Sequence, residues 1–135
     1  MSDDRYLLDA SALLALLQEE PAAKDVEMML DRAAIHAFNL AEVITKLIQH
    51  GFEHVVPMLP EIGIEVISEF GAVQAEDCGR LHAASRAQGL SLGDCVCLTM
   101  AAAQGRIAVT KEKKWAEAVR DRPIQVLRIP PSDRN

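Results

Sequence analysis

The 135-residue chain predicts an α/β fold, a three-layer α/β/α sandwich with a mainly parallel central sheet. Three observations lead there. Short apolar runs rich in β-branched residues alternate with amphipathic helical segments along the whole sequence, the pattern of strands buried under helices on both faces of a sheet. Half of the residues are hydrophobic and a quarter are charged, so a chain of this length can remove roughly two-thirds of its unfolded surface from water around one core. No internal repeat, low-complexity stretch or linker interrupts it. One domain over residues 1–135 is therefore expected, with 130–135 as a flexible polar tail.

Tyr6-Leu7-Leu8 reads as a first strand that ends at Asp9. Residues 11–20, SALLALLQEE, space their leucines as a helix with Ser11 near its N-cap, and Pro21 ends it. Residues 22–32 place Val26, Met29 and Leu30 on one face of a second helix, and residues 34–38 form a short strand. Asn39 suits the N-cap of a helix over residues 40–50, whose stripe of Leu40, Val43, Ile44, Leu47 and Ile48 stops at Gly51. Glu42 falls in its first turn. Residues 52–59 read as a short helix before Pro60, residues 64–67 as a buried strand, and residues 74–88 as a helix closed by Gly89. Ser91 caps the helix LGDCVCLTMAAAQ, which carries Asp94 at its third position and ends at Gly105. Ile107-Ala108-Val109 is a strand, Thr110 caps a helix from 111 to about 120, and residues 124–129 supply the last strand.

Composition removes several classes of function. A net charge of -6 is wrong for a general nucleic-acid coat, which needs a broad excess of Lys and Arg. It is compatible with a nuclease whose acidic site becomes attractive to phosphate once cations occupy it. Cys78, Cys95 and Cys97 make neither an even disulfide set nor a CxxC pair, and MSDDRYLL lacks a basic region followed by an apolar one, so an intracellular, cytoplasmic protein with reduced thiols is expected. No apolar run approaches the roughly 20 residues that span a bilayer, so no membrane is expected.

Ligands of parallel α/β sheets sit outside the carboxyl ends of the strands. Of the twenty carboxylates, four reach that edge by this topology. Asp9 ends the first strand, Glu42 lies one turn into a helix after the second, Asp94 opens a helix, and Glu112 follows the 107–109 strand. Asp9 and Asp94 also suit helix termini, where a carboxylate gains roughly 0.3–1 kcal/mol from the macrodipole. Two carboxylates about 5 Å apart repel by roughly 3 kcal/mol at an effective dielectric of 20, so a converging cluster calls for a cation. An all-oxygen site without paired His or Cys selects Mg²⁺ or Mn²⁺.

Three segments, LLDASALLALLQEE, NLAEVITKL and LSLGDCVCLTMAAAQGRIAVTKEKKW, resemble in order and spacing the PIN domains, and among them the VapC-type toxin ribonucleases. The resemblance covers nearly the whole chain. It implies metal-binding, catalytic acids at Asp9, Glu42 and Asp94, with Ser11 supporting the first. Where the family has Asp after the strand-ending Thr, this chain has Thr110-Lys111-Glu112, and Glu112 is taken as the fourth acid. Asn39 stands where the family often has Ser or Thr. The implied activity is Mg²⁺- or Mn²⁺-dependent endonucleolytic hydrolysis of RNA phosphodiester bonds to 5′-phosphate and 3′-hydroxyl ends. Preference for RNA would then come from shape and groove contacts. The implied partners are RNA, a small antitoxin that sets an Arg or Lys against the acids, and a second copy in a homodimer.

Lys46, Lys111, Lys113 and Lys114 are candidate phosphate contacts, although Lys46 also suits an ordinary helical pair with Glu42. His50 and His54 are separated by Gly51 and do not read as a metal pair. The cysteines and Trp115 read as core, and no aromatic platform for single-stranded bases is evident. A catalytically impaired module acting through protein or RNA binding is the main alternative. A receiver domain or a DxD phosphotransferase fits poorly, because Asp9 is followed by Ala10-Ser11 and the strand in IEVISEF does not end in Asp.

Overall fold

In the computed structural model, which describes residues 3–130, five strands form one all-parallel sheet in the order β3-β2-β1-β4-β5. The chain runs β1 (Tyr6–Leu8), α1 (Ala10–Leu17), α2 (Ala23–Met29), β2 (Ala33–His36) and α3 (Ala37–Gln49). It continues through β3 (Glu65–Ile67), α4 (Ala72–Ala84), α5 (Leu92–Gln104), β4 (Ile107–Thr110), α6 (Trp115–Ala118) and β5 (Val126–Arg128). Leu8 pairs in register with Ile35 and with Val109. Asp9, His36 and Thr110 therefore meet at one edge, at the carboxyl ends of the three central strands.

Alternation along each strand divides the core in two. Leu7, Ala34 and Ala108 pack with Cys78, Leu81 and Leu98 beneath α4 and α5. Leu8, Ile35 and Val109 face Leu13, Val26 and Val43 of α1, α2 and α3 on the other side. Helices thus cover both faces of the sheet, the three-layer arrangement expected. Residues 95–101 of α5 are all buried, because α4 and α3 pack against this helix as well as the sheet. Trp115 is fully buried, as expected of a core residue.

Several elements depart from their expected bounds. Helix α3 begins at Ala37, and His36 is its N-cap: Nδ1 accepts from the Phe38 amide at 3.0 Å while Nε2 donates to the Glu69 carbonyl at 2.9 Å. Strand β2 ends early, so Asn39 is not a cap but a buried residue of the first turn. β3 is an edge strand whose Glu65 and Val66 are exposed, rather than a buried one, because no further strand follows it. Residues Glu53–Ile62 form a 3-10 helix containing Pro57 and Pro60, which lack the amides that an α-helix would need. Helix α4 gives way to a 3-10 turn, Arg86–Gln88, before Gly89.

The helix expected from residue 111 is confined to Trp115–Ala118. Thr110 remains in β4, and its side chain is engaged with Asp9 instead of heading a longer helix. The last strand keeps only Val126–Arg128. Most of the tail expected at 130–135 lies outside the described residues.

Candidate active site

Asp9 follows β1 directly and is the N-cap of α1. Its Oδ1 accepts from the Ala12 amide and from the Ser11 hydroxyl, both at 2.8 Å, and its Oδ2 accepts from the Thr110 hydroxyl at 2.6 Å. Ser11 in turn accepts from the Lys111 amide at 3.0 Å, and Thr110 from the Glu112 amide at 3.0 Å. The hydroxyls thereby tie the β1 end to the turn that carries Glu112. Asp9 is only 4% exposed. Burial pushes its carboxyl up to about 7, outweighing the bonds from Thr110, Ser11 and Ala12, while the charge of Asp94 adds to the rise.

Asp94 sits in the first turn of α5. Its Oδ2 accepts from the Ser91 amide at 2.9 Å while the Ser91 hydroxyl accepts from the Asp94 amide at 3.1 Å, a reciprocal cap. Glu42 extends from the second turn of α3, and its Oε1 accepts from Asn39 Nδ2 at 2.9 Å. Asp9, Glu42, Asp94 and Glu112 line a single cleft of about 460 Å³ together with Lys46 and Lys114. Topology thus brings all four sequence-predicted acids to one surface. Among the described residues, however, no three His, Cys, Asp or Glu side chains already close around one ion.

The donors nevertheless fit a hard divalent cation by type. The acids of the cleft offer only oxygen, the preference of Mg²⁺ and Mn²⁺. Burial and the charge of Asp94 disfavour the charged form of Asp9, and a nearby cation would offset both. Glu42 is partly exposed and Glu112 exposed, so both long side chains border the cleft without being fixed in the core.

Of the other singled-out residues, Lys111 forms an ion pair with Glu20, and Lys113 does not line the cleft. His50 Nδ1 shares a hydrogen bond with Gln18 at 2.9 Å, whereas His54 stacks on Phe52, so the two histidines have separate surroundings. The three cysteines are free and buried, and burial raises each thiol above its ordinary value; such thiols are poor nucleophiles at neutral pH. Sequence reasoning missed Thr110 as a partner of Asp9, and Asn39 and Gly93 as supports of Glu42. Thr110 ends a strand beside β1, which was a usable signal. Nothing in the sequence pairs Asn39 with Gly93, 54 positions away. Phe38 and Phe70 were also passed over; both line a small pocket with His36, whose ring meets Phe70 edge-on at 5.8 Å.

Residues 6–121 match the sequence model of the PIN domain. No curated protein sequence matches the chain. Among solved structures, the fold is similar to a toxin–antitoxin complex from Klebsiella pneumoniae, with 22% identity, a TM-score of 0.65, and coverage of 82% of this chain and 90% of that one. It is similar also to VapBC2 of Rickettsia felis bound to a promoter DNA fragment, with 16% identity, a TM-score of 0.67, and coverage of 91% and 97%. DNA-bound VapBC from Salmonella typhimurium gives 16% identity, a TM-score of 0.67, and coverage of 93% and 98%.

Proposed function

Because the chain belongs to the PIN-domain family, we propose that it is a divalent-cation-dependent endoribonuclease, the toxin of a toxin–antitoxin pair. The observation that carries this reading is the single cleft lined by Asp9, Glu42, Asp94 and Glu112, with the Asp9 carboxyl buried at its base. These four residues would hold Mg²⁺ or Mn²⁺, which when bound supplies Lewis-acid activation of water and neutralises charge building on the scissile phosphate. Ser11 and Thr110 donate to the two oxygens of Asp9, fixing the carboxylate and favouring its charged form. Asp94 is oriented by the Ser91 cap, so its second oxygen is left for the cleft. Lys46 and Lys114 stand on the cleft wall, in place to meet phosphates on either side of the cut bond.

In this reading the partners are RNA, a second copy in a homodimer, and a small antitoxin. An apolar groove of about 450 Å³, lined by residues such as Leu13, Leu40, Ile44, Val56 and Leu59, shares α1 and α3 with the acidic cleft. That adjacency suits an antitoxin segment with an apolar helical face followed by a basic residue. The Klebsiella structure of similar fold is a toxin–antitoxin complex, and the Rickettsia and Salmonella structures are VapBC bound to DNA.

A second reading is a binding module without catalysis, favoured by the lack of three carboxylates around one point among the described residues. One experiment separates the two. Purified protein is incubated with a mixed RNA pool and Mg²⁺ or Mn²⁺, beside an identically prepared Asp9→Asn variant. Cleavage by the native protein alone, abolished by EDTA, is the expected result. Intact RNA, with no rise in Tm at millimolar Mn²⁺, would move the assignment to the binding module.

A further inference from the structure

Asn39 is 1% exposed, an unusual burial for an amide side chain. Its Nδ2 donates twice, to Glu42 Oε1 at 2.9 Å and to the Gly93 carbonyl at 3.0 Å. Its Oδ1 is buried with no hydrogen-bond partner. An orphaned acceptor weakens the fold, so this amide gives up stability at one atom while its other atom holds two acceptors. The buried amide is thus committed to holding two acceptors on two different helices.

Gly93 completes the arrangement. A Cβ built at this position would stand 2.2 Å from Glu42 Oε2 and 2.7 Å from Glu42 Cδ. The absent side chain is therefore the space that the carboxylate occupies. Gly93 immediately precedes Asp94, so whatever holds Glu42 against Gly93 also sets its distance from the second acid.

We propose that Asn39 is a positioning residue, whose carboxamide and the bare backbone of Gly93 clasp the Glu42 carboxylate beside Asp94 for cation binding. The role in cation binding rests on the ribonuclease reading above, whereas the clasp is geometric. Asn is suited to it because two amide protons serve two acceptors on different helices. A Ser or Thr hydroxyl has one proton and satisfies one of them. Asp at this position would set a second carboxylate against Glu42 and reverse the interaction.

The test compares the full-length native protein with Asn39→Leu, Asn39→Ser and Gly93→Ala. Thermal unfolding, calorimetric Mn²⁺ titration without RNA, and RNA cleavage are measured on each. Asn39→Leu, nearly isosteric, loses the two donated bonds and the orphaned acceptor together, so its Tm is expected to stay within a few degrees of the native value. Its Mn²⁺ affinity and kcat should fall by about 10- to 100-fold, with KM for RNA little changed. Asn39→Ser should recover part of that loss. Gly93→Ala should weaken Mn²⁺ binding by a similar factor, since only the flexible end of Glu42 must move to admit the methyl group.

Unchanged Mn²⁺ affinity in Asn39→Leu would overturn the proposal, as would a loss of affinity matched by a collapse in Tm. A metal-free readout keeps the two readings apart. The Asn39 side-chain amide signals in ¹⁵N–¹H spectra should shift in both Glu42→Ala and Gly93→Ala. Signals that ignore both substitutions remove the clasp, whatever the activity. A native protein that binds no Mn²⁺ and cleaves no RNA removes the ribonuclease reading and the cation role together, while shifting signals would leave the clasp itself standing.

Discussion

A carboxyl group with a folded value of about 7 against an ordinary 3.8 makes Asp9 a residue whose charged form opposes folding. The folded protein binds this proton more tightly than the unfolded chain. Its contribution to stability is therefore complete below about pH 3.8 and is lost as pH rises through about 7. In metal-free protein, Asp9→Asn removes the charge while keeping the shape, so its Tm should exceed the native value by several degrees at pH 8. The gap should close as pH falls toward 4. A gap that is flat across pH would show that burial of the charge is not its cause. Saturating Mn²⁺ should reverse the order at pH 8 by stabilising only the native protein. The acid itself was legible in the sequence, from its place at the end of a strand. Its burial was not, because that depends on Ser11 and Thr110 closing over it from both sides.

α5 shows how one element serves both core and cleft. Its middle is enclosed by the sheet, α3 and α4, and its first turn delivers Asp94 through the Ser91 cap. Ser91→Ala should destabilise the protein by about 1 kcal/mol, seen as a lower urea midpoint with an unchanged slope. The Mn²⁺ affinity should weaken too, though less, because the Asp94 amide loses the hydroxyl acceptor that fixes its turn while the Ser91 amide still donates to the Asp94 carboxylate. A stability loss without any change in metal binding would confine Ser91 to a structural role. This cap was readable from Ser91, Asp94 and Gly105 alone, since a capping box and a glycine stop are local signals. The start of α3 was misread because Asn39 and His36 can both cap. The choice fell to His36 once β2 ended there and the Glu69 carbonyl was in reach of its ring.

At the scale of the whole molecule, a net charge of -6 opposes the approach of any polyanion, and under the proposed ribonuclease reading the lysines on the cleft wall are the local remedy. Lys46 and Lys114 line the cleft, whereas Lys111 is engaged with Glu20 and Lys113 lies outside it. The double variant Lys46→Ala with Lys114→Ala should weaken RNA binding at low salt and flatten its salt dependence by about one to two counterions. Lys113→Ala should leave the slope unchanged. Equal slopes for the native and double-variant proteins would remove both cleft lysines from the substrate path.

What the sequence determined by itself was periodic or local. The alternation of strands and helices specified a layered α/β fold, the strand-end rule selected Asp9, Glu42, Asp94 and Glu112, and glycine and serine marked the bounds of α5. Tertiary structure alone decided which groups meet across long separations. It set Thr110 on Asp9, Asn39 on Gly93 and Glu42 in the space that Gly93 leaves free. The reason is physical: hydrophobic period and capping are written within a few residues of chain. A hydrogen bond between distant segments exists only after sheet register and helix packing have fixed both ends.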